Sequence, residues 1–289
     1  MSEGNGHPYS WSAIFNGYDE KKMAGCPFPV ISEYLARQQF PRDQLEGARV
    51  THIWTQDAEV SRDIAGASHI ENVVGDCREM IGEVDAVLLA RDDAEHHFEM
   101  SAPFIEAGLP IYIDKPVAFT RAEAARILDL QTRPNQVFSC SALGFASEFT
   151  TEPDELDALG RLKRVDARIG NMWAKYSVHV IEPTLKLIED QGAVVSHKAA
   201  VENDQCEVTV VWESGLETTF ATTGSRPTPP RIELIGENGN RTLEFKDTYA
   251  AFKAALERFV AVVRGEKAAI PREFLMSVVQ IVEMGVNSG

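Results

Sequence analysis

His179 is a histidine, a residue type suited to moving a proton near neutral pH. It lies in Lys175-Tyr176-Ser177-Val178-His179-Val180-Ile181-Glu182-Pro183, and an imidazole can take a proton from an alcohol in that range. Lys175 stands four residues earlier, so the two share one face of a helix. An ammonium there favours the neutral, proton-accepting ring and can also hold an anionic group. Lys115, in Asp114-Lys115-Pro116, is a second candidate: Pro116 fixes the backbone beside an ammonium that can polarise an oxygen. Each has a plainer reading, His179 as a core histidine bonded to a carbonyl and the lysines as solvated side chains. Tyr176 adds a possible hydroxyl contact.

Gly4-Asn5-Gly6-His7 has the G-x-G spacing of a turn that cradles phosphate. Ser10 would cap a short helix over Trp11–Tyr18. The third small residue of the usual fingerprint falls at Tyr9, and a disordered glycine-rich terminus is the alternative. His96-His97 is adjacent rather than i,i+4, with no carboxylate cluster beside it, so no metal site is expected. No G-x-S-x-G elbow supports a nucleophilic serine.

The element that must position these groups runs from Val84 to Pro116. Val84–Ala90 is an apolar run, read as a strand buried on both faces. Arg91-Asp92-Asp93 is a polar turn, His96–Ala107 an amphipathic helix closed by Gly108, and Leu109–Ile113 a second strand. Strand, right-handed crossover and parallel strand make a βαβ unit, whose ligands sit at the carboxyl ends of the strands. Arg91, Asp92 and Asp114 lie at those ends.

These residues carry a resemblance. Ala90-Arg91-Asp92-Asp93, His96, Glu106-Ala107-Gly108 and Asp114-Lys115-Pro116 are similar in order and spacing to the strand ending, histidine, Glu-Ala-Gly and Glu-Lys-Pro of the Gfo/Idh/MocA oxidoreductase family. Arg91, Asp92 and Asp114 depart from that pattern. The resemblance implies a sugar-like substrate with a secondary alcohol, and NAD or NADP as cofactor. It implies contacts to nicotinamide and reacting hydroxyl at Lys115, a catalytic base at His179, and a cofactor contact near His96. Gly4, Asn5, Gly6, His7, Thr55, Ala90, Arg91, Asp92, Asp114 and Lys115 complete the expected cofactor set. Lys175 stands where the family has aspartate. A non-catalytic nucleotide- or sugar-binding relative is the alternative.

Ala48–Trp54 reads as another strand of the same sheet. NAD enzymes end this strand on an acid that holds the ribose hydroxyls. Here Thr55-Gln56 take its place, with Asp57 two residues late, and the choice between NAD and NADP stays open. Further on, Ala58–Ala65 and Arg121–Leu130 read as helices, and Ile70–Val74 and Gln136–Leu143 as strands. The fold class expected is α/β: a Rossmann-like domain over residues 1–142, its first strand missing or truncated, then an α+β domain over 143–289. In that second part Lys175–Gln191 is helical with Pro183 as kink, and strands at Leu162–Ile169, Val194–Glu202, Glu207–Glu213, Glu217–Thr223, Arg231–Gly236 and Arg241–Lys246 form an open, mainly antiparallel sheet. Tyr249–Arg264 and Glu273–Val286 close the chain. The C-terminal sheet is expected to join copies into a homo-oligomer.

A formal charge of −16 disfavours nucleic acid and anionic membranes as partners. Four scattered cysteines without C-x-x-C spacing read as reduced thiols of a cytoplasmic protein. A Rossmann sheet puts its first strand in the middle, with the glycine turn at its end. Met1-Ser2-Glu3 is too short and too polar to be that strand, so the expectation is a sheet with a gap, weak dinucleotide binding, and a short apolar segment lacking ahead of Ser2.

Overall fold

The computed structural model describes residues 5–188 and 191–288. The chain forms two compact units: residues 1–114, 126–139 and 252–270 make the first, and 115–125, 140–251 and 271–289 the second.

Unit 1 holds two short parallel sheets. One pairs β1 (His52–Ile53) with β2 (Asn72–Val73), and the other has the order β3 (Val87–Leu89), β4 (Ile111–Ile113), β5 (Val137–Phe138). The helices are α1 (His7–Asn16), α2 (Glu20–Met23), α3 (Pro29–Leu35), α4 (Ala58–Ala67) and α5 (His97–Glu106). Asp57 starts α4 by accepting the Glu59 N–H at 2.7 Å. Gly108, at φ +82°, ends α5 in the left-handed region. The core is aromatic. Trp11 stacks on Tyr112 at 4.8 Å between centroids, Tyr112 meets the Phe138 ring edge-on at 4.8 Å, and Phe259 lies 5.6 Å from both Tyr112 and Phe138.

Unit 1 corrects two readings. The run at Val84–Ala90 is not buried on both faces: Val87 and Leu89 are buried, while Ala86, Leu88 and Ala90 are half-buried. The first helix begins at His7 rather than Trp11, with Gly6 instead of Ser10 as its N-cap. Proline at the first helical turn presets the backbone, and Asn5 Oδ1 receives the His7 N–H at 2.8 Å. Ser10 is buried within α1, bonded to the Tyr34 hydroxyl.

α6 (Arg121–Asp129) follows, with the Thr120 hydroxyl receiving the Glu123 N–H at 3.2 Å. Unit 2 contains α7 (Pro153–Leu159), α8 (Trp173–Tyr176), α9 (Val178–Leu187) and a six-stranded sheet. Its strands are β6 (Leu162–Ile169), β7 (Val194–Glu202), β8 (Gln205–Trp212), β9 (Glu217–Thr222), β10 (Arg231–Gly236) and β11 (Asn240–Glu244). They lie in the order β11-β10-β6-β9-β8-β7, with β6–β9 the parallel pair and the others antiparallel. α10 (Thr248–Val263) runs from unit 2 into unit 1, and α11 (Arg272–Val286) packs against α8, α9, β7 and β8. The helix expected over Lys175–Gln191 breaks at Ser177, not at Pro183. A proline disturbs the turn ahead of it by removing an N–H and crowding the carbonyl four residues back, here that of His179. Ser177 itself keeps helical angles, φ −56° and ψ −36°, so Lys175 and His179 stay on one helical path. Among the described residues, no helix is long and apolar enough to cross a membrane.

Candidate active site

Unit 2 gathers the acid–base candidates. Lys115 is 6% exposed, and its Nζ lies 5.8 Å from the Tyr176 ring centroid. The Tyr176 and His179 rings are 5.9 Å apart. His179 Nδ1 lies 2.8 Å from Ser141 Oγ, which also receives the Leu143 N–H at 3.2 Å. When Nδ1–H donates to Ser141, Nε2 keeps the lone pair a base needs.

Behind His179 is an ionic support. Glu182 is 1% exposed and accepts the Ser141 N–H at 2.6 Å and Lys186 Nζ at 3.1 Å. Lys186 also donates to the Gly144 carbonyl at 2.9 Å. Burial pushes the Glu182 carboxyl above the usual carboxylate range, while Lys186 and the Ser141 N–H pull the other way. Gly144 has no side chain because a Cβ would stand 2.5 Å from Glu182 Oε1. Ser141, Glu182 and Lys186 were not among the residues picked from the sequence. One signal was there: a carboxylate inside the apolar stretch Val178–Leu185, with a lysine four residues on.

Unit 1 carries the remaining candidates at the carboxyl ends of its strands. Asp114, 1% exposed, follows β4; its Oδ2 accepts from Asn5 Nδ2 at 3.1 Å and lies 2.6 Å from His7 Nδ1. His7 stacks on Trp11 at 4.9 Å. Asn5, His7 and Asp114 thus form one cluster. Arg91, after β3, is buried and paired with Asp93, its Nε donating at 2.8 Å; this pairing holds the Asp93 carboxyl below its ordinary range, against the pull of burial. Asp92 and Ala90 beside it are half-buried. Thr55, after β1, donates its hydroxyl to the Asp57 carbonyl at 2.6 Å. His96 is exposed, while its neighbour His97 is fully buried, with Nε2 2.8 Å from the Arg91 carbonyl. Gly4 lies outside the described residues. Also among the described residues, no group of three or more His, Cys, Asp or Glu could hold a metal ion.

Residues 31–141 match the model of an oxidoreductase family with an NAD-binding Rossmann fold, Gfo/Idh/MocA. The match is to that segment. Solved structures share the fold over most of both chains. Myo-inositol 2-dehydrogenase from Lactobacillus plantarum is 14% identical with a TM-score of 0.71, over 85% of this chain and 91% of that one. Scyllo-inositol dehydrogenase from Lactobacillus casei is 12% identical with a TM-score of 0.70, over 84% and 89%. GenD2 from gentamicin A biosynthesis, solved with NAD, is 16% identical with a TM-score of 0.68, over 83% and 86%. No curated protein sequence matches.

The matched family has an NAD-binding fold, and the polar groups at the carboxyl ends of β1, β3 and β4 that could face a dinucleotide are held within the chain: Arg91 by Asp93, the Asn5 amide by Asp114 and the Thr55 hydroxyl by the Asp57 carbonyl. The diphosphate of a dinucleotide is served least. In the first turn of α1 the His7 N–H is taken by Asn5, Pro8 has none, and the Tyr9 and Ser10 N–H groups both point to the Gly6 carbonyl, at 3.1 and 3.2 Å. A Cβ on Gly6 would lie 2.5 Å from Ile31 Cδ1, so this glycine is packed under α3.

Proposed function

We propose that the chain is a nicotinamide-dependent oxidoreductase acting on a secondary alcohol of a sugar-like substrate. The observation that carries this reading is the grouping of a buried Lys115, Tyr176 and a His179 backed by Ser141 in one unit. His179 Nε2 takes the hydroxyl proton in oxidation and returns it in reduction. Ser141, accepting from Nδ1–H, holds the ring in the tautomer whose basic lone pair is on Nε2. Lys115 orients the substrate oxygen and stabilises negative charge as the proton leaves. Lys175, one turn before His179, offers its charge to an anionic group of the substrate. When bound, the nicotinamide supplies the hydride acceptor or donor. Asn5, His7, Thr55, Arg91, Asp92 and Asp114 are the residues to hold it. The C-terminal sheet as an oligomer interface and a cytoplasmic location belong to the same proposal.

A second reading is a non-catalytic relative, favoured by the filled first turn of α1 and by Lys175 in place of aspartate. Titration of the purified chain with NAD and with NADP separates the two. The oxidoreductase reading expects saturable binding of at least one, weaker than with an open glycine turn. His179→Ala and Lys115→Ala should each lower turnover by roughly 10²–10⁴-fold with the melting temperature retained. Near-normal turnover in His179→Ala would remove the assigned base, and no binding of either nucleotide would favour the second reading.

A further inference from the structure

His179, Glu182 and Lys186 stand at i, i+3 and i+7 of α9, a single stripe along one face of the helix. All three reach the same short segment, the 3-10 helix Ala142–Phe145 with Ser141 as its N-cap. Glu182 grips its start: Oε2 accepts the Ser141 N–H at 2.6 Å. Lys186 grips its far end, donating to the Gly144 carbonyl at 2.9 Å, with Nζ 4.3 Å from the Phe145 ring centroid. Lys186 Nζ also donates to Glu182 Oε1 at 3.1 Å, which joins the two grips. The third contact is that of the Ser141 hydroxyl with His179 Nδ1 at 2.8 Å.

The hydroxyl has little room to move. Ser141 is fully buried, its Oγ receives the Leu143 N–H at 3.2 Å, and its carbonyl receives the Gly144 N–H at 3.0 Å. Both side chain and backbone are therefore fixed relative to α9. Stability alone does not call for a carboxylate here, because packed apolar residues replace a buried ion pair at little or no cost. Gly144 fits the ionic pair specifically. A Cβ there would stand 2.5 Å from Glu182 Oε1 and 2.7 Å from Lys186 Nζ, so a bare glycine is what lets both groups close on the segment.

We propose that Glu182 and Lys186 are positioning residues for the base. Acting through Ser141, they fix where the His179 ring sits and hold it in the tautomer protonated on Nδ1. This role rests on His179 being the proton acceptor. Its value to the reaction is geometric, since a reacting group displaced by about 1 Å can lose about 10²-fold in rate.

The test reads the ring itself, in the whole chain, with no substrate or cofactor added. In protein carrying 15N-labelled histidine, His179→Gln identifies the His179 signals among those of the seven histidines. Above the pH at which the ring titrates, the parent should show a protonated Nδ1 and a bare Nε2. Ser141→Ala should lose that pattern, because it removes the acceptor. The same loss is expected in Glu182→Ala. Glu182→Gln keeps an oxygen for the Ser141 N–H and should restore the pattern. Gly144→Ala leaves the backbone without strain, since this glycine has no positive φ, but drives a methyl group into both ionic side chains. It should lose the pattern while staying folded, and it decides the matter where Glu182→Ala does not fold. Retention of the parent pattern in Gly144→Ala and in folded Glu182→Ala overturns the proposal and leaves the pair a purely structural role. A loss in Glu182→Gln as complete as in Glu182→Ala overturns it as well, and so does a parent ring protonated on Nε2. Failure of the oxidoreductase reading is separate: near-normal turnover in His179→Ala, or no binding of either nucleotide, leaves these spectra as they are.

Discussion

Replacing Glu182 separates its role as an acceptor from its role as a charge. In Glu182→Ala the Ser141 N–H, bonded to the carboxylate at 2.6 Å, loses its partner, and an orphaned buried donor costs about 1–3 kcal/mol. Breaking a buried ion pair costs about 3–5 kcal/mol. The Lys186 side chain, however, is 30% exposed and also bonds Gly144, so only part of that applies. Together these give a loss of about 3–4 kcal/mol, or roughly 6–16 °C in melting temperature. Glu182→Gln keeps an oxygen for the Ser141 N–H and removes the desolvated charge, so it should stay within about 1 kcal/mol of the parent. A pH series adds a second signature. Burial raises the folded pKa of Glu182 above the ordinary 4.5, so folding favours the protonated form. The contribution to stability is present below that ordinary value and is lost as pH rises through the folded pKa. The parent should therefore lose stability relative to Glu182→Gln across that window. Calorimetry of the three proteins from pH 4 upward reads both effects. Equal destabilisation by Ala and Gln would show that the charge, not the acceptor, holds Ser141; a parent–Gln difference independent of pH would refute the raised pKa.

Two further outcomes follow from the same unit. If Lys175 reads substrate charge, kcat/KM for an acidic sugar over its neutral analogue should fall about tenfold in Lys175→Ala, and an unchanged ratio would clear Lys175 of that role. Gly285→Ala places a Cβ 2.2 Å from Trp173 Cε2, against a ring whose N–H donates to the Val282 carbonyl at 2.8 Å. Overpacking of this kind costs about 1–3 kcal/mol, and thermal unfolding should report it as a drop of several degrees; an unchanged melting temperature would mean that α8 and α11 separate freely.

The second sheet was legible almost strand by strand, and the reason is turn chemistry. Asn203-Asp204, Ser214-Gly215 and Asn238-Gly239 punctuate β7 to β11, and alternation marks the half-buried residues between them. Leu162–Ile169 and Arg231–Gly236 have the bounds read from the sequence. Helices α2 and α7 were not anticipated. They have four and seven residues and start at Glu20 and Pro153, too short for periodicity to register. In the site, the i,i+4 relation of Lys175 and His179 was visible because it is local. Ser141 was not, since it reaches His179 across 38 positions, and nothing in Ser-Ala-Leu-Gly marks it out.

The first domain shows what a local pattern leaves open. Ala48–Trp54 and Val84–Ala90 have sequences adequate for seven-residue strands, yet only His52–Ile53 and Val87–Leu89 are paired as such. Residue pattern alone cannot predict this, because ladder formation needs a partner on each edge. Among the described residues β3 pairs with β4 alone, and Ala86, Leu88 and Ala90 are half-buried. In a βα unit the preceding strand fixes where the turn sits at the head of the helix. Asn5 and His7 bond Asp114, and Asn5 caps the first N–H of α1. The turn ahead of α1 is thereby tied to the carboxyl end of β4 through Asp114.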